Sequence, residues 1–340
     1  MTQQPLLTIA IPTYNGSATI RVMMDILLQQ YDPRVEILVS DNCSTDSTPD
    51  IIKEYQEQHP YIKYTRNEVN IGADANFLQC MRLATGKYIY LLSDDDVLIE
   101  GALAEILNYL EKYADVGLIY LNSVGFHGKY EGVENCSKLA LAGVPDDNLY
   151  TEDKVVFMKC AARFWGFMSS FIILNENFRE IENPEQFFGT YWLQSYIHIL
   201  CCAKPHSKVG VIKKPCVAAG IYMDINNFDG SIVNGVNYRA MVEFAVEKGG
   251  FDKQQMVSFY TWRLIYLSSH SIIKEKAAGV KKTSYWRLFK ISYMYPMAWI
   301  KLYPTFILPK WFCRMIMKYY RNKKGLSNQV TLMRQGDAKS

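Results

Sequence analysis

A mostly parallel α/β sheet with helices on both faces, followed by a helical C-terminal region, is the fold that the order of apolar runs predicts. Three observations carry this expectation. Short β-forming runs alternate with amphipathic stretches through the first 125 residues, the pattern of right-handed βαβ crossovers. The alternation stops near Phe126. Beyond residue 236 the chain reads as helical and becomes strongly basic.

Leu6–Ile11 is a β run ending in Pro12-Thr13-Tyr14-Asn15-Gly16, a turn before a helical pattern that reaches Gln30. Val35–Ser40 is the second strand, closed by Asp41-Asn42-Cys43-Ser44-Thr45-Asp46 and followed by a helical segment over Thr48–Gln58. Tyr61–Arg66 is a third short strand, and Asn70-Ile71-Gly72 leads into a helix through Arg82. Tyr88–Leu92 is uncharged and reads as a buried strand. A helix over Ala102–Lys112 and a strand over Val116–Leu121 complete the alternation. Then come a loop-rich connection to Leu149, a helix at Thr151–Cys160, a strand at Trp165–Leu174 and a helix at Phe187–Cys202. A strand at Val209–Val217 and a loop rich in Asn, Asp and Gly over Met223–Asn237 follow. The expected division is 1–125 and 126–235 as two halves of one α/β domain, with 236–340 as a helical basic region.

Composition is that of a globular protein: 340 residues, 49% hydrophobic, enough for a substantial core. Eight cysteines without a C-x-x-C pair read as reduced, mostly buried thiols. No uncharged apolar run reaches the ~18 residues that span a bilayer. The opening Met1-Thr2-Gln3-Gln4-Pro5 has neither a basic segment nor an apolar core, so no signal peptide is expected and the chain reads as cytoplasmic. The net charge of +3 conceals an asymmetry: Lys274–Ser340 holds fifteen Lys/Arg against two acids, Glu275 and Asp337. Lys310, Arg314, Lys318 and Arg321 recur at helical spacing beside Trp311, Phe312, Met315, Ile316 and Tyr319. Such helices fit the plane of an anionic bilayer, which predicts a peripheral protein at the inner membrane face. The alternative is an amphipathic helix docked on the body. No nucleic-acid recognition motif accompanies the charge, so nucleic acid is not expected as a partner.

The chemistry is expected at the ends of the first, second and fourth strands, where open α/β sheets bind ligands. Asp94, Asp95 and Asp96 follow the fourth strand directly. Carboxylates this close repel one another unless a cation or donor offsets them, and a cluster of hard oxygens suits Mg²⁺ or Mn²⁺. Alone, the triplet could be a solvated turn. Asp41, at the end of the second strand, could accept from a base ring or amine, and Asp41 or Asp46 could equally cap the next helix. Pro12, Thr13, Tyr14 and Asn15 line the first strand's mouth, and Asn70 and Gly72 flank the approach.

These motifs, I-P-T-Y-N-G at 11–16, V-S-D-N-C-S-T-D-S-T at 39–48, N-x-G-x-x-x-N at 70–76 and T-G-K-Y-I-Y-L-L-S-D-D-D at 85–96, resemble family-2 glycosyltransferases of the GT-A fold. The resemblance covers about residues 6–125. It implies inverting transfer of a sugar from a nucleoside-diphosphate donor with a divalent metal. Pro12, Tyr14 and Asp41 would hold base and ribose, and Asp94, Asp95 and Asp96 would hold ribose, metal and diphosphate. Aligned through the following helix, the family pattern makes Asp95 the metal ligand with Asp94 near the ribose; a simple D-x-D reading chooses Asp94 and Asp96. The family's acidic pair at the start of the acceptor-side helix is missing from Phe188-Gly189-Thr190-Tyr191-Trp192-Leu193-Gln194. That segment looks similar to bacterial O-antigen transferases of the abequosyltransferase type. A proton acceptor is still needed; Glu185 is the first choice, with Glu182, Asp224 and His198 as alternatives, His198 reading first as a core histidine. A glycan, lipid-linked in surface-polysaccharide assembly, is the implied acceptor. A sugar-nucleotide nucleotidyltransferase and a non-catalytic binding module are the competing functions.

Overall fold

The computed structural model describes residues 4–138, 147–161, 165–204, 206–221 and 228–323. The chain forms two compact units. The first comprises Met1–Phe126, Tyr130–Gly220 and Phe244–Asp252; the second comprises His127–Lys129, Ile221–Glu243 and Lys253–Ser340.

The first unit is built on strands β1 (Leu7–Thr13), β2 (Val35–Asp41), β3 (Lys63–Arg66), β4 (Tyr88–Leu91), β5 (Val97–Leu98) and β6 (Val116–Phe126). These are joined by β7 (Ser137–Lys138), β8 (Leu149–Thr151), β9 (Phe171–Leu174) and β10 (Lys208–Gly220). They form one sheet in the order β3-β2-β1-β4-β9-β6-β10-β5, with β7 on β6 and β8 on β10. β1 to β4, β6 and β10 run parallel, while β9 is inserted antiparallel between β4 and β6. Its helices are α1 (Ile20–Gln29), α2 (Thr48–Gln58), α3 (Ala73–Leu83), α4 (Ala102–Lys112), α5 (Lys154–Ala161), α6 (Asn175–Arg179) and α7 (Leu193–Ala203).

Every residue of β1 and β2 is buried, as central parallel strands covered on both faces must be. α1 buries Ile20, Met23, Met24 and Leu27, the i, i+3, i+4, i+7 stripe of a core-facing helix. α4 starts at Gly101, whose φ of +77° a side chain would oppose. Full burial also traps a charge: Glu36 on β2 accepts from Thr8 Oγ1, from the Thr85 amide at 2.9 Å, from Thr85 Oγ1 at 2.7 Å, and from Lys63. Burial alone would raise its pKa, but these donors outweigh it and hold the carboxyl below its ordinary range.

Three elements differ from the sequence reading. The strand expected over Trp165–Leu174 is confined to Phe171–Leu174, after a single 3₁₀ turn at Met168–Ser170. The helix expected from Phe187 starts at Leu193, because Gly189 and Tyr191 take positive φ. The loop expected over Met223–Asn237 is helical at Ile232–Asn237, a wide π-type turn in which Val233, Asn234 and Gly235 are buried. Its Asn and Gly content reads as loop, but packing decides its conformation. Residues 222–227 of that stretch lie outside the described residues.

The second unit contains the start of α8 (Tyr238–Gly249), then α9 (Lys253–Ala278), α10 (Tyr285–Ser292), α11 (Tyr303–Ile307) and α12 (Lys310–Lys323). Its turns are closed by charged side chains. Buried Glu275 accepts from the amides of Lys282 and Thr283, both at 3.0 Å, and Lys276 Nζ donates to the carbonyls of Phe306 at 2.7 Å and Leu308 at 2.9 Å. Arg314 caps α9 by donating to the Ala277 carbonyl at 3.1 Å. Among the described residues no helix is long and apolar enough to cross a membrane, and all eight cysteines are free thiols.

Glu36 gives a pH test. Its folded pKa is depressed, so its stabilising contribution is present above the unfolded value near 4.3 and is lost as pH falls through the folded value. Urea unfolding from pH 7 to pH 3 should show stability falling in the acid limb, more shallowly in Glu36→Gln. Glu36→Ala, which strands buried donors, should lose roughly 1–3 kcal/mol at pH 7.

Candidate active site

The C-terminal ends of the parallel strands bring the three motif loops together. Asp94 and Asp95 are half-buried and Asp96 is only 3% exposed. Each is held differently. Thr13 Oγ1, at the end of β1, donates to Asp94 Oδ2 at 2.5 Å, and Ser93 Oγ donates to Asp95 Oδ1 at 2.5 Å. Asp96 turns inward: Ser169 Oγ, just before β9, donates to its Oδ2 at 2.6 Å, and the Gly220 amide, at the end of β10, donates to its Oδ1 at 3.0 Å. Ser169 Oγ also accepts from the Ser93 amide at 3.0 Å. Burial, followed by the Asp95 charge, pushes the Asp96 pKa up to about 8.

Burial leads that shift and the neighbouring carboxylates follow it; a divalent cation on the neighbouring oxygens would offset the second cause. The hard oxygens of Asp94 and Asp95 therefore fit Mg²⁺ or Mn²⁺. Among the described residues no three His, Cys, Asp or Glu side chains form a complete metal cage.

The wall of the site is a side-chain-to-backbone network. Asn15 has φ +54° and accepts from the Thr45 amide at 2.8 Å, while its own amide donates to Ser44 Oγ at 2.9 Å. The Ser17 amide donates to Asp46 at 3.0 Å. Asp46 also accepts from the Thr48 amide at 3.0 Å, an Asx turn ahead of α2, whose N-cap is Ser47. Asp41, expected to face a base, is 0% exposed. Its carboxylate is occupied by the Ser44 amide at 2.8 Å, Tyr64 Oη at 2.8 Å and Arg66 Nε at 3.3 Å, so in this form it organises the wall from behind. Asn70 Oδ1 accepts from Asn42 Nδ2 and the Gly72 amide, both at 2.9 Å, and Gly72 has the φ of +88° that starts α3. Pro12 is buried in β1, while Tyr14 beside it is exposed.

The proton-acceptor candidates fall into place unequally. Glu185 pairs with Arg82, near the C-terminal end of α3. Its own amide and Arg82 hold its pKa below the ordinary range, the wrong direction for a base. His198 is buried against Phe171 and Trp165, and burial pushes its pKa down to about 3, so it is a core histidine. Glu182 is exposed. Asp224 lies outside the described residues.

Sequence reasoning missed Asn42, Ser169 and Asp74. Asn42, buried inside the second motif, accepts from the Ile71 amide at 2.9 Å and ties that motif to the third; its place in the motif was the available signal. Nothing local marks Ser169. Asp74 sits in the first turn of α3, yet its carboxylate accepts from the Gly189 amide at 2.8 Å and from the Tyr191 amide. Burial raises its pKa.

The glycosyl transferase family 2 model matches residues 8–158. Abequosyltransferase RfbV of Salmonella typhimurium is 28% identical over 222 residues, 62% of this chain and 66% of that protein. The GalNAc(5)-diNAcBac-PP-undecaprenol beta-1,3-glucosyltransferase of Campylobacter jejuni is 26% identical over 199 residues, 56% of this chain and 60% of that protein. The chain thus matches somewhat under two thirds of each relative's length. Among solved structures, S. aureus TarS 1–349 in complex with UDP-GlcNAc aligns with a TM-score of 0.60 at 14% identity, over 81% of this chain and 76% of that one. A longer TarS chain aligns over 46% of its length with a TM-score of 0.58. At such identity the likeness shows the fold, a GT-A-like mixed sheet that is mostly parallel. Its carboxylate triplet at the end of β4, its strand-end loops and the family match together make residues 8–158 a glycosyl transferase family 2 domain.

Proposed function

We propose that this protein transfers a sugar, with inversion, from a nucleoside-diphosphate sugar to a lipid-linked glycan in bacterial surface-polysaccharide assembly. One observation carries the reading: three carboxylates at the end of β4, each oriented by a different neighbour, stand where the strand-end loops converge. The relatives support the finer points. RfbV is named an abequosyltransferase, and the Campylobacter enzyme is named for a PP-undecaprenol-linked substrate.

Pro12, Thr13, Tyr14 and Asn15 line the mouth of β1, where the exposed Tyr14 ring offers a face to a base or ribose. Asn70 and Gly72 form the opposite lip, and Asp41 holds the wall between them. Asp95, with Asp94, would hold Mn²⁺ or Mg²⁺, which when bound would stabilise negative charge on the leaving diphosphate. Thr13 and Ser93 fix those two carboxylates, and Asp96 braces the turn from within. Gly16 keeps the space open, since a Cβ there would overlap Asp94 Oδ2 and lie 2.6 Å from Thr13 Oγ1.

The second unit supports a peripheral membrane role. Its four tryptophans are exposed, Trp262 by 42%, Trp286 by 64%, Trp299 by 56% and Trp311 by 67%, whereas Trp165 and Trp192 of the first unit are 1% and 4% exposed. Lys310 and Lys318 are exposed on α12. Exposed indoles among lysines fit the headgroup layer of an anionic bilayer. Arg314 is partly committed to capping α9, and the Arg321 side chain lies outside the described residues. A cavity of about 940 Å³ lies between α9 and α12, lined by Trp262, Tyr266, His270, Met315 and Tyr319 among others. Its described lining residues all belong to the second unit and include no carboxylate.

Asp95→Ala should abolish sugar transfer, assayed with a panel of nucleotide sugars and Mn²⁺, while leaving the melting temperature unchanged. Full activity of that variant, or of the wild type in excess EDTA, would refute the metal assignment. Gly16→Ala should fold but lose the rise in melting temperature that a bound nucleoside diphosphate gives the wild type. On anionic vesicles, flotation should weaken with salt yet persist in part, because apolar burial is not screened. The Trp286→Ala, Trp299→Ala, Trp311→Ala triple variant should stop floating. If it floats as the wild type does, the bilayer reading fails.

A further inference from the structure

We infer that Asp74 is the general base of the transfer. The inference rests on the proposed sugar transfer. The site needs a group to take the proton of the attacking hydroxyl, and neither Glu185 nor His198 is suited to that role. Asp74 stands at the correct edge of the sheet. α3 descends from the C-terminal ends of the parallel strands, so Asp74 in its first turn lies about 12 Å along the helix axis from Arg82, where Glu185 is paired. α7 descends the same way into β10, which puts its start, Gly189–Gln194, at that edge too. One segment links this start to the triplet: Gln194 Nε2 donates to the Gly166 carbonyl at 2.9 Å, and Ser169, three residues on, holds Asp96.

Asp74 is not occupied in capping its own helix, whose N-cap is Gly72 without a side-chain bond. It reaches across to the amides of Gly189 and Tyr191, and the backbone there is bent to φ +77° and +63°. Tyr191 in the left-handed region is strained, as residues beside reaction centres often are. Two amides use two of the roughly four acceptor positions of a carboxylate, leaving capacity for a hydroxyl. In the step, the acceptor oxygen bonds to the anomeric carbon as the bond from that carbon to the diphosphate oxygen breaks. The hydroxyl proton passes to Asp74, and the nucleoside diphosphate departs with the electron pair.

The test compares wild type with Asp74→Asn. It measures nucleoside-diphosphate release from the nucleotide sugar, with water or glycan as acceptor, and the melting-temperature rise given by UDP, GDP, dTDP or CDP. Asp74→Asn should lower kcat by roughly 10²–10⁴-fold with the nucleotide-induced rise intact. The groups facing Asp74 are the Gly189 and Tyr191 amides, and the other carboxylates at this edge are Asp41, Asp46, Asp94, Asp95 and Asp96. The fall in wild-type kcat with acidity that belongs to Asp74 should therefore vanish in Asp74→Asn. A kcat within about threefold of wild type would overturn the assignment; so would loss of nucleotide binding together with kcat, which would make Asp74 a structural latch. If the wild type itself turns over no nucleotide sugar, the transfer reading fails, and that failure is distinct from a wild type that works equally well without Asp74.

Discussion

Burying Asp96 beside Asp95 sets the terms for the whole C-terminal edge of the sheet. A carboxylate withdrawn from water needs donors in place of solvent, and it finds them on two separate elements, the Ser169 hydroxyl before β9 and the Gly220 amide ending β10. The end of β4 is thereby fixed against the antiparallel insertion on one side and against a distant strand on the other. With Asp96 drawn inward, the remaining charges of Asp94 and Asp95 are displayed toward the converging loops. A flexible loop bearing three acids would spread them apart; here the fold prevents it.

The same economy governs the loops around the triplet. They contain little regular structure, so their polar backbone groups are satisfied by short side chains from neighbouring motifs: Asn15 to Thr45, Asn42 to Ile71, Asp41 to Ser44. This explains why Asn, Asp and Ser dominate these stretches, since those side chains mimic backbone partners at close range. It also explains why Asp41 has no spare oxygen at the surface. Its carboxylate is spent holding Tyr64 and Arg66 against the second loop.

The first 125 residues were legible in the sequence because their β runs are short, buried throughout β1, β2 and β4, and punctuated by those motifs. The strands and helices lie within a few residues of where the pattern puts them, and the Asp94–Asp96 triplet was visible as a strand-end cluster. Beyond Phe126 the pattern loses its period. β9 begins only after a turn at Met168–Ser170, and α7 begins after two left-handed residues that no local propensity announces. The π-type turn at Ile232–Asn237 is made by burial against its unit, against its own composition. Asp74 shows the limit most clearly: in the chain it is an ordinary first-turn acid, and only folding brings it 115 positions forward to Gly189.

The short stretch from Gly166 to Ser169 is shared property. One end receives Gln194 from the start of α7, and the other grips Asp96. A ligand that shifts the carboxylate turn must move Ser169, and through it the loop ahead of α7. If one substrate settles at each end, their affinities are thermodynamically linked. Whatever factor the first lends to the second, the second returns to the first. The protein would then favour the ternary complex over either binary one, and one ligand bound without the other would meet a centre not yet fully set.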